Sequence, residues 1–101
     1  VRSYRTVGLQ GRGRVAVKMT LVNPPGRPSW TPAGAALLGS KQEELAGLTV
    51  WPLKPIPPGE TQVVTVEMNA AADEAHGAFK LKLWAKEAGA GGVNLDGVTF
   101  P

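Results

Sequence analysis

Arg14-Val15-Ala16-Val17-Lys18-Met19-Thr20-Leu21-Val22-Asn23 is the stretch that decides the fold. Val15, Val17, Met19 and Leu21 recur at every second position, while Lys18 and Thr20 fall between them, which is the period of a β-strand with one buried face. Asn23-Pro24-Pro25-Gly26 ends the strand, because neither proline donates to a ladder and glycine accepts the positive φ of a turn. The same alternation returns downstream. Val64, Val66 and Met68 oppose Val63, Thr65 and Glu67, and Phe79, Leu81 and Leu83 oppose Lys80, Lys82 and Trp84. Val17, Leu21, Val64, Val66, Leu81 and Leu83 are therefore the expected core.

Working outward, Gly34–Leu38 reads as a shorter apolar strand closed by Gly39-Ser40. Lys41-Gln42-Glu43-Glu44 reads as a solvated charged turn or one helical turn, and Leu48, Val50 and Trp51 resume a strand. Four prolines between Pro52 and Glu60 demand an edge or an open connection, turning at Pro58-Gly59. Ala70–Ala75 favours helix locally, but six residues form at most one turn across the end of the sheets. Gly89-Ala90-Gly91-Gly92 is a turn. Val93, Leu95, Val98 and Phe100 close the chain, and the odd interval from Leu95 to Val98 requires Asp96-Gly97 to absorb one residue as a bulge. Strands beginning near Ser3, Arg14, Gly34, Gly47, Gln62, Ala78 and Gly92 make about seven, without a crossover helix. The pattern predicts an all-β, immunoglobulin-like antiparallel β-sandwich, with a small barrel as the other option.

The 101 residues are 43% hydrophobic and 19% charged, with no cysteine, so residues 1–101 are expected to form one domain on an apolar core without disulfides. Apolar runs reach only a few residues, far short of the ~20 of a membrane-spanning helix, so no transmembrane segment is expected. The start at Val1 instead of methionine fits a processed or truncated chain. Charge is divided unevenly: residues 1–42 hold seven cations and no acid, and the remainder holds four lysines against all eight acids, +7 and −4 within a net +3. Acidic and basic strands lying side by side would compensate one another. A polyanion-binding accessory domain using Arg2, Arg5, Arg12 and Arg14 is the alternative.

Catalytic chemistry finds little material. One histidine and no cysteine leave the usual nucleophile, base and metal sets incomplete, and Ser3, Ser29 and Ser40 lack the glycine-framed turn of a hydrolase nucleophile. His76 beside Asp73 and Glu74 is read as a hydrated loop in preference to a metal site. The glycine-rich segments 8–14 and 89–92 lack the strand-to-helix setting in which such loops cradle phosphates. The expectation is a non-enzymatic domain without cofactor or metal. Three tryptophans remain as candidate protein-binding residues. Trp30 lies in a long loop, where plugging the end of the sandwich is favoured over projection as an anchor. Trp51 and Trp84 are out of phase with the inward sets and are expected to form a partly exposed aromatic strip.

Several of these segments also resemble a known family. Val15–Pro24, Pro28–Leu37, Pro55-Ile56-Pro57-Pro58-Gly59-Glu60, Gly77–Trp84 and Gly97-Val98-Thr99-Phe100-Pro101 together look like the C-terminal domain of a paralogous myxobacterial family of unknown function. The resemblance covers about Arg12 to Pro101. It implies an exported, extracytoplasmic protein (periplasmic, envelope-associated or secreted), of which this chain is the C-terminal part. The partner would then be another protein or the missing N-terminal region. The family supplies no activity to transfer to any residue.

Overall fold

The computed structural model describes residues 1–11, 13–39, 44–45, 48–69 and 77–100. Among them the chain forms eight strands and no helix: β1 (Arg2–Gly11), β2 (Arg14–Val22), β3 (Pro32–Leu38), β4 (Glu44–Leu45), β5 (Thr49–Trp51), β6 (Thr61–Asn69), β7 (Phe79–Ala85) and β8 (Gly92–Val98). Two antiparallel sheets stack, the first in the order β1-β2-β6-β5 and the second in the order β4-β3-β7-β8. The first sheet has the order of the ABED sheet of an immunoglobulin constant domain. The second has that of CFG with one short strand added at its edge, so the sandwich is immunoglobulin-like.

Alternation places the core as expected. Val15, Val17, Met19 and Leu21 from β2 and Val64, Val66 and Met68 from β6 meet Leu37 from β3 and Phe79, Leu81 and Leu83 from β7, all buried. Phe79 also packs against Phe100, with ring centroids 5.6 Å apart. β7 and β8 pair Leu81 with Leu95 but Phe79 with Val98, so β8 carries one extra residue at Asp96-Gly97. Gly97 takes a φ of 69°, the left-handed backbone that a bulge of this kind needs and that glycine adopts without Cβ strain. The bulge returns Val98 to the core, and Asp96 sits 3.7 Å from Lys80 Nζ.

Two expectations change. Glu44 belongs to no solvated turn: it pairs with Leu38, and Leu45 with Leu37, as the short edge strand β4. The count is therefore eight strands instead of about seven. Backbone pairing with β3 supplies what two residues cannot signal by periodicity. The expected turn at Ala70–Ala75, His76 and most of the charged segment 41–44 lie outside the described residues.

The Pro52–Glu60 connection joins no ladder, as its prolines require, and is held by a bridge between Trp30 and Ile56 and by backbone bonds of Asn23 with Gly59 and Glu60. No helix among the described residues is long and apolar enough to cross a membrane.

Candidate protein-binding face

Residues that alternate away from the core define the outer face of the first sheet. Strand register sets them in rows: Tyr4, Thr20 and Val63; then Val7, Lys18, Thr65 and Trp51; then Ala16, Glu67 and Thr49. A solvated sheet face ordinarily carries polar side chains at such positions. Here Tyr4 (51%), Val7 (49%), Val63 (46%) and Trp51 (70%) are exposed, and threonines and Ala16 fill much of the space between. Lys18 stands near the middle. The only acid in these rows, Glu67, accepts a hydrogen bond from Arg14 Nη2 at 3.0 Å across β2 and β6. Both partners are about half exposed, so the pair contributes ~0–1 kcal/mol and serves mainly to place the charge.

The outer face of the second sheet differs. Its rows read Leu38 and Lys80, Ala36, Lys82 and Asn94, and Gly34, Trp84 and Gly92. Trp84 is half-exposed, but its indole lies over Gly34. A Cβ built at Gly34 would fall 2.6 Å from Trp84 Cζ2 and 2.8 Å from Nε1. The ring therefore covers a position with no side chain, a structural use of an outward aromatic.

The three tryptophans consequently separate. Trp30 is 2% exposed and donates its Nε1–H to the Gly91 carbonyl at 3.2 Å. It plugs the end of the sandwich and presents no projecting anchor. Trp51 and Trp84 sit on the outer faces of opposite sheets, so the expected single aromatic strip does not exist; equal phase within two strands does not place them in one sheet. Tyr4, Val7, Val63 and Lys18 join Trp51 instead. A signal for them was present, since Val63 and Lys18 both fall on the outward half of their alternations.

Of the arginines, Arg2 is exposed on β1 and Arg14 is engaged by Glu67. The Arg5 side chain and Arg12 lie outside the described residues. The charge division between the two parts of the chain is bridged at Arg14 and Glu67, whereas Lys80 and Asp96 pair within the acidic part.

A concavity of ≈ 330 Å³ opens beside Trp30, lined among others by Asn23, Arg27, Pro28 and the turn 89–92. Its wall is a structural staple. Asn23 is buried, and its Nδ2 donates to the Pro28 carbonyl at 2.9 Å and to the Ile56 carbonyl at 2.8 Å, tying together two loops that carry no ladder of their own. Nearby, the Thr31 hydroxyl donates to Glu87 Oε2 at 2.6 Å and the Thr31 N–H to Oε1 at 2.8 Å. The hydroxyl bond first, and the backbone bond after it, hold the Glu87 carboxyl below its ordinary range. Among the described residues, no three histidine or acidic side chains gather to hold a metal ion.

The model of one family, described as "Protein of unknown function (DUF2381)", matches residues 2–98. No curated protein and no solved structure matches the chain.

Proposed function

The chain belongs to this family of unknown function, and we propose that it is a non-enzymatic binding or interdomain module of an exported protein. The outer face of the first sheet is where it docks a protein partner. One observation carries the reading: four large apolar side chains, Tyr4, Val7, Val63 and Trp51, lie exposed together on one sheet face. Such a sheet face ordinarily carries polar side chains, so four large apolar ones spread from one edge strand to the other favour a covering partner, and aromatic anchors dominate protein interfaces. The non-enzymatic part is supported by the residue inventory, with one histidine and no cysteine. The exported, extracytoplasmic setting rests on the resemblance carried by Pro55–Glu60, Gly77–Trp84 and Gly97–Pro101.

Site-directed photocrosslinking tests the reading. p-Benzoylphenylalanine placed at Val63, in cells of the source organism, is expected to trap a protein adduct, whereas the same probe at Lys82 on the opposite face traps none. Equal yields from the two faces would refute it.

A further inference from the structure

We propose that the occupant of this face is a second copy of the same chain, packed sheet to sheet about a two-fold axis parallel to the strands and lying between β2 and β6. The inference rests on the reading of the face as a docking surface and adds the identity of what docks.

Charge complementarity carries it. In the rows of the face, β2 presents Arg14, Ala16 and Lys18 in succession, and the neighbouring β6 presents Glu67 directly beside Ala16. A two-fold axis along the strands exchanges β2 with β6 and leaves the rows in place. The Glu67 carboxylate of the second copy then comes down on Ala16, the smallest side chain of the face, between the cations Arg14 and Lys18. The symmetry makes the contact twice.

The apolar residues follow the same operation. Thr20 faces Val63 of the second copy, and Val7, 49% exposed at one edge, faces Trp51, 70% exposed at the other. An axis at right angles to the strands would instead set β2 against β2 and Lys18 against Arg14 or Lys18. The charge pattern therefore selects one orientation. Either axis leaves the strands of the two sheets aligned, as stacked sheets ordinarily are, so the choice rests on the charges.

The area is sufficient for a weak dimer. β1, β2 and β6 are 10, 9 and 9 residues long, with β5 adding 3. At ~4.8 Å between strands and ~3.3 Å per residue, the face measures roughly 19 by 30 Å. Two such faces pressed together remove on the order of 1,000 Å² from water, the lower bound for a specific interface.

Sedimentation velocity of the 101-residue chain from about 10 μM to about 1 mM tests this. The expected result is a mass that rises toward the dimer. Trp51→Ala should raise the dissociation constant by at least about tenfold. Lys18→Glu and Glu67→Lys, both exposed and safe for folding, should each weaken self-association by about tenfold or more. Mixed one to one, the two variants should form a heterodimer tighter than either forms with itself, short of the original because Arg14 then stands beside the introduced lysine. The two substituted side chains, again of opposite charge, then face each other on one side of the axis, and the native pair survives on the other.

A chain that stays monomeric throughout, or a dimer weakened by Lys82→Glu and indifferent to the charge exchange, overturns the proposal. A monomer that still crosslinks from Val63 to a different protein defeats the second-copy assignment alone. A monomer with no face-specific crosslink defeats the docking reading as well.

Discussion

Trp51 on the first sheet is opposed across the ladder by Thr65, whereas Trp84 on the second is opposed by Gly34. The two rings are similar in sequence, each at an outward position of a strand, and the fold gives them different work. Trp84 lies on a bare glycine backbone and has its contact within the domain. Trp51 finds no such gap opposite it and keeps most of its surface in solvent. An exposed aromatic is therefore interpreted by its cross-strand partner: a missing side chain opposite the ring makes it packing, and a filled position leaves it available.

The same contrast extends to the surroundings. Trp84 shares its face with Lys80 and Lys82, the solvated character expected of an antiparallel sheet. Trp51 shares its face with Tyr4, Val7 and Val63.

Both faces depend on one core, and the largest expected effect tests that dependence. Leu81→Ala, at a fully buried position of β7, should cost about 2–5 kcal/mol in denaturant unfolding through lost burial and the cavity left behind. A loss below about 0.5 kcal/mol would mean that β7 presents its other side to the first sheet, and the assignment of the outer faces would be reversed with it.

Next in size is the staple that fixes the loops at the Trp30 end. Asn23→Ala removes the side-chain donor to the Pro28 carbonyl and to the Ile56 carbonyl, the latter keeping only the Trp30 N–H. It should cost about 2–4 kcal/mol by the same assay. An unchanged midpoint would show that the two loops are held without the Asn23 side chain.

The comparison of tryptophans sharpens at Gly34. Gly34→Ala puts a methyl group where the Trp84 ring lies, so the ring must move. Thermal unfolding should register a loss of about 1–2 kcal/mol. Thr65→Ala, opposite Trp51, should stay within about 0.5 kcal/mol.

The smallest effect is an acid limb. The Glu87 carboxyl is held below its ordinary range by its bonds from Thr31, so its contribution is present above the unfolded carboxyl value and is lost as pH falls through the lower folded value. Glu87→Gln should flatten the fall of melting temperature over that acid range. An identical acid limb in both proteins would remove Glu87 as its source.

Much of this architecture was legible in the residues because burial on one face imposes strict period two. The alternations of Val15–Leu21, Val64–Met68 and Phe79–Leu83 placed three long strands and their inward sides, and the odd spacing of Leu95 and Val98 located the bulge. What escaped depends on pairing across the chain. β4 is two residues held by register with β3. Asn23 has a turn residue's composition, but its partner Ile56 is 33 residues away. Trp51 and Trp84 were correctly out of phase with the core, yet phase carries no record of which sheet a strand joins. The glycine beneath Trp84 lies 50 positions upstream, so local sequence could not distinguish the covered ring from the free one.

The most direct test places the photocrosslinker at Val63 and compares adduct yield in the Trp51→Ala and Trp84→Ala backgrounds, each confirmed folded by circular dichroism. Trp51→Ala should abolish the adduct while leaving unfolding free energy within about 0.5 kcal/mol. Trp84→Ala should keep the adduct while lowering stability by about 1–2 kcal/mol. An adduct that survives loss of Trp51 and disappears with loss of Trp84 would contradict the assignment of the binding face to the first sheet.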